Sequence, residues 1–448
     1  MTWARRLAPG LVATLLFMAA ALWNGYILFY YDSVDYVYLP FDWDLPVYRT
    51  AAYAVVTSVG KWTGTLWAVA VLQSAVTAYM MHETLRIFAP VMARSLLVPA
   101  AAILAVATGL PWFAGQLMPD AFTGPVVLGV LVLAFGWDHL LWRRYPVMAI
   151  LIVGIGVHTS HLGLAIGLIL SLGGLRLILR RRWPEFHPRL LGASVATVLA
   201  VVFVVTTHWA TQGRPFLTQP THMLWLARMV QDGTAKELLD EVCPTQAAEY
   251  RLCAFRDQFP ATANDFLWHG ESVILRLGGW EGLRDEAKQI FHESIRRHPW
   301  HHLQVMARLT LQQLVEFKTG DGMIDMDWLV GDTLEGYYPH EYDTFLASRQ
   351  EQGISFDGIN RLHVPVMALA QLALPLLLVW GWRKRDGRTF GLATAVLLAL
   401  LGNAFICGAL SNPNHRYQGR LTWVPVLVVV IGAARIRDAR LREEPIPH

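Results

Sequence analysis

The sequence predicts an all-α polytopic membrane protein, with about ten transmembrane helices and a mainly helical extracytoplasmic insert. Three observations carry that fold class. Of 448 residues, 54% are apolar and only 16% are charged, with mean hydropathy +0.36, whereas a soluble domain carries roughly 25% charged residues. Windows without Asp, Glu, Lys or Arg run over 7–31, 62–82, 95–119, 121–137, 145–175, 190–213, 362–382 and 389–415. Most of them reach the ~18–20 residues that cross a bilayer. Of the 37 basic residues, 19 fall at window ends that share one side, while the short loops on the other side hold only Arg49, Lys61, Arg416 and Arg420. That asymmetry follows the positive-inside rule and puts the N-terminus in the cytoplasm. Soluble folds are excluded. Three cysteines are too few for a disulfide scaffold.

The elements follow in order. The first window comes after Arg5 and Arg6, is 25 residues long, and has no small-x-small site after it. It is longer than a secretory h-region and reads as a retained first span that leaves the membrane at Tyr31. An outer loop, 32–61, follows, with residues 49–60 read as a short interfacial helix. Window 145–175 has 31 residues, too many for one upright helix. As a single span it would put Arg180, Arg181 and Arg182 outside. Two short passes, turning at His158-Thr159-Ser160-His161, keep them inside. The last span, 421–434, is short and is extended back towards Tyr417. The chain therefore divides into 1–213 with spans 1–7, a soluble insert over 214–361, and 362–448 with spans 8–10 and a cytoplasmic tail.

The same parity places the insert outside. It carries 14 Lys/Arg against 22 Asp/Glu, and long domains translocate regardless of charge. Apolar spacing predicts helices over 223–239, 282–298 and 300–317, and the Gly- and Asp-rich stretch 319–335 reads as loop. Cys243 and Cys253 share this oxidising side, which favours a disulfide. Closing so short a loop stabilises by ~2–3 kcal/mol in the chain-entropy account. Cys407 falls within a span and reads as a packing residue. His298, His301 and His302 lack zinc spacing and read as surface.

Unusual polar residues gather on the outer face, where ionisable groups at a membrane edge are functional candidates. Asp32 and Asp35 lie three apart, so one helical turn puts both on one face. Such a pair suits a general base, and it also suits a divalent cation. Asp120 opens a span, where a helix N-terminus favours an anion. Asp42 and Asp44 match a DxD pattern, but so short a pattern is common by chance. Arg416 and Arg420 run against the charge asymmetry, and their planar forks suit phosphate, with His415 as a further donor. His158 and His161 stand at the hairpin apex as cavity-lining or ligating candidates. No nucleotide-binding motif and no basic nucleic-acid surface is present.

Asp32-Ser33-x-x-Tyr36 after the first span, Met118-Pro119-Asp120, and Asn414-His415-Arg416-Tyr417 before the last span resemble the GT-C glycosyltransferase superfamily. In style the chain is similar to bacterial lipid A aminoarabinose transferases and protein O-mannosyltransferases. The resemblance covers the membrane scaffold and rests on those three short motifs. It implies an integral enzyme of a bacterial cytoplasmic (inner) membrane, taking a sugar from a polyprenyl-phosphate donor on the outer face. The acceptor class is lipid, glycan or protein. By the same resemblance Asp32 is the base or metal-associated acid, Asp120 the second acid, and Arg416 the phosphate contact, with Tyr417 beside it. The sequence departs in two ways: Asp32-Ser33 stands where the superfamily has an acid pair, and the soluble region is inserted rather than C-terminal. Two other classes compete, namely an oligosaccharide ligase or polymerase using a polyprenyl-diphosphate donor, and a transporter or flippase. A transporter concentrates ionisable groups near the midplane, whereas here they sit at one face.

Overall fold

The computed structural model describes residues 3–443 except Glu185 and Pro220. The end of the expected cytoplasmic tail, 444–448, lies outside the described residues, as do the side chains of Arg5, Arg6 and Arg442. Among the described residues there is no β-strand, only an isolated bridge between Leu28 and Gln116. Six helical stretches are long and apolar enough to cross a membrane: Pro119–Gly156, Thr159–Leu179, Leu191–Gln212, Asp357–Arg383, Gly387–Ala409 and His415–Leu441. The chain is a helical, multi-pass membrane protein. Helix Thr123–Leu140 is its axis and is buried on nearly every side, while Thr159–Leu179 and Asp357–Arg383 expose leucines such as Leu170, Leu177, Leu372 and Leu376. So much apolar exterior needs lipid against it.

Window 145–175 is two helices, Arg144–Gly156 and Thr159–Leu179. His158 caps the second, its Nδ1 accepting from the Ser160 N–H at 3.2 Å. Before that hairpin the chain reverses at Leu141, whose φ is +51°, an unusual value for a branched residue.

Two windows differ from the expectation. The first is helical over Trp3–Phe17 and Ala19–Asn24, joined through Met18, and it stops at Gly25 with φ +88°. The helix therefore ends at Asn24, seven residues short of the expected exit at Tyr31. Tyr26–Tyr30 is buried, non-helical chain. The third window is broken after Ala93–Ala107 and resumes as a single short helix, Leu110–Ala114. Leu28 donates to the Gly115 carbonyl at 2.9 Å and accepts from the Leu117 N–H at 2.8 Å. Hydropathy cannot separate these segments from membrane helix, because a buried extended chain is equally apolar. Their pairing brings the residues after Tyr31 beside those after Leu117.

The insert also differs in detail. Residues 223–239 form two helices, Thr221–Asp232 and Thr234–Gln246, parted at Gly233 with φ +89°. Leu226, Leu238, Phe266 and Ile290 centre a core of their own, closed by the Cys243–Cys253 disulfide with Cα atoms 5.7 Å apart. Within the expected loop 319–335, Asp327–Tyr337 begins a helix, because Val330 and Leu334, four apart, are fully buried against the first outer loop. His302 is buried too, which corrects the surface reading: its Nε2 pairs with Ser294 Oγ at 2.8 Å and its Nδ1 lies 3.4 Å from Arg228. Cys407 is buried and receives a contact from Arg420 at 3.2 Å.

Candidate functional site

The paired segments deliver the first acids. Ser33 is buried, donates to the Leu117 carbonyl at 2.9 Å and accepts from the Tyr30 N–H at 2.8 Å. That tie starts helix Ser33–Asp42, with Asp32 just before it and Asp35 one turn on. Both carboxylates face the same guanidinium. Arg49 Nη2 donates to Asp32 Oδ1 at 2.8 Å, and Arg49 Nε donates to Asp35 Oδ2 at 2.6 Å. Arg49 also lies over the Tyr48 ring at 4.8 Å. Asp32 keeps 25% of its side chain exposed, against 9% for Asp35. Burial pushes the Asp35 carboxyl above its ordinary value, opposed by the attraction of Arg49.

Asp120 has the opposite setting. It lies in the 3-10 turn Pro119–Phe122 and is buried. Arg416 Nη1 donates to its Oδ2 at 2.8 Å, and Arg420 Nη1 donates to its Oδ1 at 2.5 Å. The two arginines come from one turn, since Asn414 caps helix His415–Gly419 by accepting from the Arg416 N–H at 3.0 Å. Residues four apart on such a turn share a face. Asp321, from the insert, accepts from the same N–H at 3.2 Å. Arg420 spends Nη2 on Ser160 Oγ at 3.1 Å and Asn403 Oδ1 at 3.3 Å. Arg416 lies over the Tyr30 ring at 4.1 Å and brings Nη1 to 4.0 Å from Asp32 Oδ2, and the buried Nε of each of the two arginines has no hydrogen-bond partner.

The structure thus brings together Asp32, Asp35, Asp120, Arg416 and Arg420, which lie as much as 388 positions apart. Tyr417 flanks them, its ring 5.0 Å from Arg416, and its carbonyl accepts from Asn403 Nδ2 at 2.8 Å. His161 is stitched between spans: its Nδ1 meets the Gly154 carbonyl at 2.7 Å, so that nitrogen carries the proton and Nε2 accepts from Thr123 Oγ1 at 2.8 Å. His158 Nδ1 is engaged by Ser160, and burial, then Arg420, pushes its pKa well below the ordinary value. It is a neutral imidazole at the edge of the site. His415 turns to the insert, accepting from the Lys318 N–H at 3.2 Å. Asp42 is taken by the Tyr337 hydroxyl and Asp44 is exposed.

No family model, curated protein or solved structure matches the chain. The site therefore speaks through its own chemistry.

Sequence reasoning missed Arg49 and Asp321. Arg49 carried a usable signal, being one of the four basic residues in the short loops expected on the outer side, as were Arg416 and Arg420. Asp321 carried none, because it reaches the site only through the fold of the insert. A divalent cation between Asp32 and Asp35 would have to displace the Arg49 guanidinium. Among the described residues, no group of three or more His, Cys, Asp or Glu side chains is arranged to hold a metal ion. A cavity of about 90 Å³ opens beside Thr50, walled by Gly156, Leu162, Ala200, Val204 and Leu217. It is apolar and lies next to the residue that follows Arg49.

Proposed function

We propose that the chain is an integral membrane glycosyltransferase, moving a sugar from a polyprenyl-phosphate donor to an acceptor at the outer face of a bacterial cytoplasmic membrane. Adding the helices around 3–24, 67–88 and 93–107, and counting both passes of 119–156, gives the ten crossings this reading uses. The insert is then extracytoplasmic. One observation carries the reading: a partly exposed carboxylate, Asp32, faces a buried arginine, Arg416, across 4.0 Å at one end of the bundle.

In this reading Asp32 takes the proton from the acceptor hydroxyl or amine. The freed lone pair attacks the anomeric carbon, the bond from that carbon to the phosphate oxygen breaks, and polyprenyl phosphate leaves with the electron pair. Arg416 meets the charge developing on that phosphate, in a setting where water is largely excluded. Arg49 orients Asp32, and Asp120 holds Arg416 and Arg420 in place as positioning residues do. The apolar cavity beside Thr50 supports entry of a lipid-borne donor from the side. Both terminal nitrogens of Arg420 are engaged, and Arg416 is the arginine that approaches Asp32, which favours a single guanidinium at the leaving group and a monophosphate over a diphosphate donor.

Native mass spectrometry of the chain purified from its membrane tests this. A co-purified polyprenyl monophosphate, lost in Arg416→Ala, supports the proposal. A diphosphate-linked oligosaccharide moves it to the ligase class, and a wild-type sample free of any polyprenyl carrier contradicts it.

A further inference from the structure

Helix Pro299–Val315 turns more large apolar side chains outward than a soluble domain would. Its inward side is mixed, burying His302, Thr310 and Gln313 beside Val305 and Leu309. The Gln313 side chain spans the backbone of Asn414, donating to its carbonyl at 2.8 Å and accepting from its N–H at 2.9 Å. Its outward side carries Trp300, Leu303, Leu311 and Val315, which are 74%, 55%, 64% and 71% exposed. With Ala307 between them, these residues fall within an arc of about 120° at 3.6 residues per turn. Gln304 is the one polar residue inside that arc. Arg308 lies at its border.

The position of the helix says what covers this stripe. Its Leu309 carbonyl sits where a side chain on Gly408 would fall, so it crosses in close contact with the end of the apolar helix Gly387–Ala409. On that neighbouring helix, long and apolar enough to cross a membrane, Leu401 and Phe405 are 49% and 40% exposed, so the stripe lies on a helix packed against a segment that itself presents apolar side chains outward. Trp at one end and an apolar run beyond suit the boundary between headgroups and acyl chains.

We propose that helix Pro299–Val315 is an interfacial helix, its outward stripe seated in the lipid at the end of the bundle that holds Asp32. The partner is the lipid surface itself. The insert is thereby held to the bilayer on one side of the site, with Gln313 linking the lipid-seated helix to the turn that carries Arg416. This rests on the membrane reading alone and stands whether or not the chain transfers sugar.

Spin labelling tests it on the full chain in phosphatidylcholine vesicles. Cys407 is buried and is the one free cysteine described, so Ala307→Cys in a Cys407→Ser background takes a nitroxide at the centre of the stripe. Power-saturation with oxygen and a water-soluble nickel chelate should place the label about 5–10 Å below the headgroup level. A Glu271→Cys label, on the exposed part of the insert, should report water. A label at residue 307 as open to nickel as the one at 271 would overturn the proposal. So would dipolar broadening from a second copy, which would give the stripe to self-association. Loss of the signal on swapping to anionic vesicles would contradict an apolar seat, whereas equal depth in both lipids supports it.

Discussion

Two ion-pair networks meet at the same end of the bundle and are built for different ends. In one, Asp32, Arg49 and Asp35 come from a single segment, 32–49, and Asp32 stays partly exposed. In the other, Asp120, Arg416 and Arg420 come from helices about 300 residues apart, and none of their side chains is more than 7% exposed. A carboxylate enclosed by two guanidinia cannot readily take a proton, because both lone-pair faces are spent and the charged form is held. One with an open edge can. In the proposed reading, similar residues therefore divide into a network that does chemistry and a network that holds the first one's partner.

The largest stability effect falls on the buried network. Asp120→Asn leaves two buried guanidinia facing a neutral amide, and losing one partner of such a group costs about 3–5 kcal/mol. A fluorescence melt in detergent should show this as a lowered Tm with little properly folded protein at high temperature. An unchanged Tm would mean that water or lipid already compensates these charges, and the contrast between the networks would fail. Arg416→Lys is the intermediate case. It keeps a charge opposite Asp120 but loses the fork, so donor binding should weaken by about 1.5–3 kcal/mol, roughly ten- to a hundred-fold, with a smaller loss of Tm than in Asp120→Asn. Equal donor affinity for the two forms would reduce Arg416 to a structural partner of Asp120.

A third network gives the smallest effect and serves as the control. Arg228, Asp232 and His302 are buried in the insert, with Arg228 Nη1 2.6 Å from Asp232 Oδ2. Burial, then Arg228, lowers His302 from 6.5 to about 4. The folded state therefore binds fewer protons than the unfolded chain below pH 6.5, and stability falls as pH drops from about 6.5 towards 4. His302→Gln should flatten that part of the Tm–pH curve relative to wild type. A curve as steep in the variant would assign the acid sensitivity elsewhere.

Much of the scaffold was legible in the sequence because charge is costly in lipid and the arginines mark one side. The hairpin at His158 followed from keeping Arg180–Arg182 with the other arginines. The breaks at Gly25 and Ala107 were hidden, since chain buried in protein, extended at Tyr26–Tyr30 or a short turn of helix at Leu110–Ala114, is as apolar as a membrane helix. At the site, the shared face of Asp32 and Asp35 was readable from a three-residue spacing. The capture of Asp120 by Arg416 and Arg420 was not, because nothing local links positions 296 and 300 residues apart. Arg49 lay between these cases: its unusual side was visible, its partners were not.

The central claim is that Asp32 is the base and Asp120 a support. It is tested most directly by measuring transfer from a polyprenyl-phosphate sugar and Tm together, for Asp32→Asn and wild type in the same vesicles. Asparagine keeps the size of Asp32 and an acceptor for Arg49, while Asp35 still holds that arginine. Transfer should fall at least about a hundred-fold, the scale of a lost general base, with Tm close to wild type. Near-full transfer by Asp32→Asn would contradict the account and return the catalytic assignment to Asp120.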